Sequence, residues 1–216
     1  MKNLVERILP GPVLDVLKEI KFGMEAAKAI RQWEAAGKPA PPPSYYKNTV
    51  IRDFQKRYKL NTFIETGTFL GNTTEIQRRN FSKIYSVELS EDLYNRASKR
   101  FARYHDVKIM QGNSADVLPV IMKDVQGPAL FWLDAHYSGV LGGEITSRAA
   151  KDCPIYEEID AIFGHKQQHV ILVDDARNFI GCDGYPTLDE LKSYVKSKRS
   201  DFAVEVENDI IRILPR

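Results

Sequence analysis

From residue 45 onward the chain keeps switching between two rhythms. Short, nearly unbroken apolar runs give way to stretches in which apolar residues return every third or fourth position. The runs TFIET, KIYSVE, VKIMQ, PALFWLD and HVILVDD read as strands buried on both sides. Residues 45–58, 72–80, 90–103, 114–124, 154–164 and 187–198 read as helices. Ser90 is the expected N-cap of one helix, with acids in its first turn, and Asn72 the expected cap of another, with Glu75 three residues on. The last run, FAVEVENDIIRILP, alternates on either side of Glu207-Asn208-Asp209 and predicts a hairpin.

Strand–helix alternation of this length predicts an α/β fold: a doubly wound, mostly parallel sheet with an antiparallel C-terminal hairpin, seven strands in all. Ahead of it, residues 3–36 look helical in two pieces, broken by Pro10-Gly11-Pro12. GKPAPPPS, residues 37–44, then reads as a stiff polyproline linker. The expected organisation is an arm and linker over 1–44 and one domain over 45–216. Packing on the domain or on a second copy of the chain is the expected role of the arm, which makes a homo-oligomer the expected assembly.

Composition narrows the function. The chain of 216 residues has 31 basic and 29 acidic side chains, a net charge of +2, with no basic stripe interleaved with aromatics. That argues against a nucleic-acid partner. Its two cysteines, Cys153 and Cys182, form no paired motif and suit a reducing, cytoplasmic setting. No apolar run approaches the length of a transmembrane segment.

Open α/β sheets bind ligands beyond the carboxyl ends of their strands, and acids collect there. The five parallel strands deliver Glu65, Glu88, Asp116, Asp134 and the pair Asp174-Asp175, at their ends or just past them. The first turn, ETGTFLG, lacks the lysine of a phosphate loop and the glycine spacing of a dinucleotide binder. Its Glu65 would repel a phosphate and welcome a cation.

Taken together, ETGTFLG, SVELS, GNSADVL and the terminal hairpin resemble the class I S-adenosylmethionine-dependent methyltransferases, over residues 60–215 or so. Phe69 stands where that family's first motif usually has its middle glycine. The resemblance implies S-adenosyl-L-methionine as cofactor, held by Glu65, Gly67, Thr68, Gly71, Glu88, Ser114, Asp116 and Asp134, with Glu88 on the ribose hydroxyls.

Asp134 and Asp174-Asp175 end neighbouring strands, and three converging carboxylates call for a hard cation such as Mg²⁺. LDAHYSG and VDDARNF resemble the Mg²⁺-dependent, macrocin-type sugar O-methyltransferases. That likeness implies Asp134, Asp174 and Asp175 as metal ligands, His136 as catalytic base, and a small-molecule hydroxyl acceptor. A metal-independent N- or O-methyltransferase, with His136 or Asp134 as catalytic base, and an inactive assembly module remain the alternatives. The loop 137–153 is a candidate lid. His165 and His169 read as structural, and Glu157 and Glu158 as part of a solvated helix face.

Overall fold

The computed structural model describes residues 11–134, 140–141, 144–145 and 153–216. His136 and most of the expected lid therefore lie outside the described residues. The chain forms two compact units, Met1–Lys47 and Asn48–Arg216.

In the first unit, α1 (Gly11–Ala35) is a single helix. Pro12 falls in its first turn, where a missing N–H costs no helical hydrogen bond. Pro12 thus stands where this helix opens, and the first of the two expected helical pieces lies outside the described residues. At the other end, left-handed Gly37 and Lys38 close the helix, and the Lys38 N–H donates to the Trp33 carbonyl at 3.0 Å. The Trp33 indole N–H donates to the Pro39 carbonyl at 2.7 Å, and its ring lies 4.6 Å from that of Tyr46. The proline-rich segment is folded back onto the helix end by these contacts.

Helix α2 (Ser44–Tyr58) crosses from the first unit into the second, where it buries Val50, Ile51 and Phe54. Next in the second unit come β1 (Thr62–Thr66), α3 (Asn72–Gln77), β2 (Lys83–Glu88), α4 (Glu91–Phe101) and β3 (Val107–Gln111). After α5 (Ser114–Met122) and β4 (Ala129–Leu133), a small antiparallel pair is made by β5 (Val140–Leu141) and β6 (Glu144–Ile145). Helix α6 (Ile155–Phe163), β7 (Val170–Val173), α7 (Leu188–Lys198), β8 (Phe202–Glu207) and β9 (Ile210–Pro215) complete the chain.

The main sheet has seven strands in the order β3-β2-β1-β4-β7-β9-β8. Its first five run parallel, and β9 is antiparallel to both β7 and β8. The hairpin turns through Asn208 and Asp209, both at positive φ, as a two-residue type I′ turn requires. Strand order reverses between β1 and β4, which makes their carboxyl ends the switch point. The outermost strands are charged: β8 exposes Glu205 and Glu207, and β3 exposes Lys108.

Side-chain alternation sorts the core into two layers. Ile64, Tyr85, Val87, Phe131, Leu133, Ile171 and Val173 share one cluster with Leu118 of α5, Ile159 of α6 and Leu191 of α7. The intervening positions face the other way. There Phe63 stacks on Phe81 at 5.1 Å and Glu65 reaches Thr74 of α3.

At the amino end of β7, His169 is buried and accepts the Ala129 N–H on Nδ1 at 3.1 Å. Its proton must then sit on Nε2, which donates to Nδ1 of His165 at 2.9 Å. Burial is the main force pushing the His169 pKa down to about 4 from 6.5, with His165 and Arg199 adding to it. The folded state therefore holds fewer protons than the unfolded chain between those two values. The contribution of His169 to stability is complete above pH 6.5 and is lost as pH falls toward 4. In urea titrations, the advantage of wild type over His169→Gln should shrink by up to about 3 kcal/mol between pH 7 and pH 4.

Candidate active site

The carboxyl ends of β1 and β2 are joined by a folded-over loop. After Thr66, Gly67 adopts φ 90°, and the N–H groups of Gly67 and Thr68 both donate to the Val87 carbonyl, at 2.9 and 3.1 Å. Phe69 follows in the left-handed region, at φ 48°. A side chain there costs about 1–2 kcal/mol, and one bond offsets it. The Phe69 N–H donates to Glu88 Oε2 at 2.7 Å, while Glu88 Oε1 accepts the Ser90 N–H at 2.9 Å. Phe69 thus takes, at some strain, the backbone shape that a glycine would take freely. Glu88 is 6% exposed; burial raises its pKa, and these backbone donors pull against the rise. The Leu89 N–H is a third backbone group that favours its charged form.

Gly71, at φ 74°, ends the loop. A Cβ there would lie 2.6 Å from Cε2 of Phe101, so no larger residue fits without displacing the ring. Gly71 is itself the N-cap of α3, and no side chain caps that helix. Asn72 is not the cap expected from the sequence. Its Oδ1 is drawn to Arg100 Nη1 at 3.0 Å, and Glu75 pairs with Arg78 at 2.9 Å. A cavity of about 320 Å³ lies beside the loop, between Phe69, Leu70 and Asn72 on one side and Arg96, Ala97 and Arg100 on the other.

Glu65 is turned beneath this loop, 2% exposed. Its Oε2 accepts from Thr74 Oγ1 at 2.6 Å and Ser86 Oγ at 2.7 Å, and Ser86 Oγ also bonds Thr68 Oγ1 at 2.7 Å. Burial lifts the Glu65 pKa to about 7, against the hydroxyl bonds. In this arrangement Glu65 braces the turn from below.

At the end of β3, Gly112 donates its N–H to the Glu88 carbonyl at 2.9 Å, and Asn113 caps α5 through Ala115 N–H at 3.1 Å. Ser114 is buried with its hydroxyl toward Glu158, whereas Asp116 is exposed. Two residues expected to help hold the donor thus differ in accessibility.

Across the switch point, Asp134 donates its N–H to the Thr66 carbonyl at 3.0 Å, and Asp174 to the Leu133 carbonyl at 3.0 Å. This aligns the ends of β1, β4 and β7. Asp174 Oδ1 accepts the N–H of Asp175 at 2.8 Å. Asp175 is left-handed, at φ 58°, and its Oδ1 accepts from Arg177 Nη1 at 2.8 Å. Among the described residues, no three His, Cys, Asp or Glu side chains gather closely enough to hold a metal ion. Asp134, Asp174 and Asp175 therefore stand at one edge without forming a ready-made ligand set.

Two residues that the sequence reading left aside belong to this edge. Tyr185 is half-buried, and its phenol is pushed up first by burial, then by Cys153, Asp175 and Asp134. Glu158 is fully buried, and its carboxyl faces the hydroxyls of Ser114 and Thr66. It is not on a solvated face. Ile155, Ile159 and Ile162 form the buried stripe of α6, and Glu158 lies three residues after Ile155, on that same stripe. Helical spacing was the signal for it. Burial raises its pKa to about 7, and the facing hydroxyls of Ser114 and Thr66 draw it partly back. Three buried isoleucines contribute about 5 kcal/mol or more, enough to offset one buried carboxyl.

No protein-family model matches the chain, and no curated protein matches its sequence. Solved structures do share its fold. The O-methyltransferase TomG of Streptomyces achromogenes, involved in tomaymycin synthesis and solved with SAM, has a TM-score of 0.57 at 16% identity, covering 88% of each chain. The methyltransferase PaMTH1 of Podospora anserina, bound to SAH, has 0.56 at 16% identity, over 97% of this chain and 98% of that one. An O-methyltransferase of Bacillus cereus in complex with SAH has 0.57 at 15% identity, over 88% and 90%. The architecture of this chain is the Rossmann-like fold of those methyltransferases.

The Glu158 carboxyl has a measurable signature. Its folded pKa of about 7 exceeds the ordinary 4.5, so its contribution is complete below pH 4.5 and is lost as pH rises through 7. Relative to wild type, Glu158→Gln should gain up to about 3 kcal/mol on going from pH 4.5 to pH 8, read by chemical denaturation at each pH.

Proposed function

We propose that this chain is an S-adenosylmethionine-dependent methyltransferase that methylates a hydroxyl oxygen of a small polar acceptor such as a sugar. The observation that supports it most is the first loop, folded over β2 and tied to Glu88 at the switch point of the sheet. The donor suits the residues there. Glu88 offers its carboxylate to the ribose hydroxyls, Gly67 permits close backbone approach, and Ser114 is proposed to join them from the start of α5. Thr68, Gly71 and Asp116 complete the proposed donor site, with Glu65 supporting it from beneath. When bound, the donor supplies an electrophilic methyl group on a sulfonium sulfur.

The chain supplies orientation and proton removal. Asp134, fixed through its backbone to Thr66, is proposed to orient the acceptor hydroxyl. His136, two residues further on, is proposed to take the proton; a neutral imidazole suits that task near pH 7. Exclusion of water from the reacting oxygen favours a transfer in which charge is cancelled.

Magnesium, which the resemblance implies, would draw ligands from Asp134 and Asp174, at the ends of adjacent strands, and would lower the pKa of the acceptor hydroxyl. The third carboxylate, Asp175, is engaged by Arg177. No step of the proposed transfer depends on the ion.

Calorimetry with S-adenosylmethionine tests the reading directly. Wild type should bind the donor, and Glu88→Ala should weaken binding tenfold or more, about 1.4 kcal/mol. A folded wild-type chain with no affinity for the donor would remove the proposal.

A further inference from the structure

The loop after β7 and the tip of the β8–β9 hairpin are far apart in sequence yet share one guanidinium. Asp209, the second turn residue of the hairpin, reaches residues 176–177 three times. Its carbonyl accepts the Ala176 N–H at 2.9 Å, its Oδ1 accepts the Arg177 N–H at 2.8 Å, and its Oδ2 accepts from Arg177 Nη1. The same Nη1 donates to Asp175 Oδ1 at 2.8 Å. The Asp209 side chain is only 4% exposed and that of Asp175 18%. Two shielded carboxylates brought to one nitrogen would repel each other without a cation between them.

The guanidinium is that cation, and it is covalently part of the chain. A guanidinium is always charged and directional, so it does not leave as an ion or a water does. The backbone of the loop is also already shaped, by Asp209 from outside and by the Asp174 bond to the Asp175 N–H from inside. A divalent ion arriving at Asp175 would meet a like charge in hydrogen-bond contact with its ligand.

We infer that Arg177, anchored by Asp209, is the resident counter-cation of this strand edge and keeps divalent metal ions off Asp175. The inference goes beyond the proposed methyl transfer and is decided by metal binding alone, whatever the catalytic activity proves to be.

Titration of the full chain with Mn²⁺, followed by electron paramagnetic resonance, and with Mg²⁺, followed by calorimetry, tests it. Arg177→Met should bind either ion at least tenfold more tightly than wild type. Adding Asp175→Asn to Arg177→Met should abolish that gain, which separates release of Asp175 from a general change in surface charge. Wild type binding as tightly as Arg177→Met would overturn the inference. So would a gain that survives in the double variant. Circular dichroism checks that each variant folds. If Arg177→Met does not, Arg177→Gln serves the same comparison, because it removes the charge and keeps a hydrogen-bond donor.

Discussion

The carboxylate of Glu88 is the constraint on which the candidate site depends. One oxygen holds the N–H of Phe69 and the other that of Ser90, so a single side chain joins the first loop to the turn after β2. Without it, Phe69 would have no compensation for its left-handed backbone. The Gly67 and Thr68 bonds to the Val87 carbonyl would then have to hold the loop alone. The same carboxylate is the group proposed to meet the ribose hydroxyls of the donor, so one side chain would serve both the loop and the ligand. The structural role and the proposed binding role are compatible because a buried carboxylate accepts from several donors.

The end of β1 carries this logic to both faces of the sheet. Glu65 lies on the side of α3, satisfied by two hydroxyls, while Thr66 faces the side where Glu158 is buried. Two carboxyls with raised pKa values thus flank the strand next to the switch point. Apolar burial on α6 outweighs the cost of Glu158. Its retention among isoleucines is a polar exception in an otherwise apolar layer, close to the edge where the chemistry is proposed.

Much of this was legible in the sequence. The apolar runs of the five parallel strands coincide with the observed strands to within two residues, because strands buried on both faces leave little ambiguity of period. Ser90 caps α4 as expected, its hydroxyl accepting the Leu93 N–H. What failed to show was set by tertiary contact or by backbone geometry. Asn72 has the right identity for a cap, but Arg100, distant in sequence, captures its side chain. Glu158 was assigned to solvent by its charge, although its spacing from Ile155 placed it inside. The three aspartates were correctly placed at neighbouring strand ends, but nothing local announced that Arg177 and Asp209 would claim Asp175.

The charged outer strands of the sheet bear on how copies of this chain can meet. Strand β8 presents Glu205 and Glu207 to solvent, and β3 presents Lys108. Extending the sheet from one molecule into the next through two β8 strands would bring glutamates face to face, and joining two β3 strands would do the same with lysines. Charges so placed blunt a strand as a template for another backbone. Like-with-like growth of the sheet is thereby disfavoured at either margin, and any symmetric pairing of two molecules is better served by surfaces formed from helices.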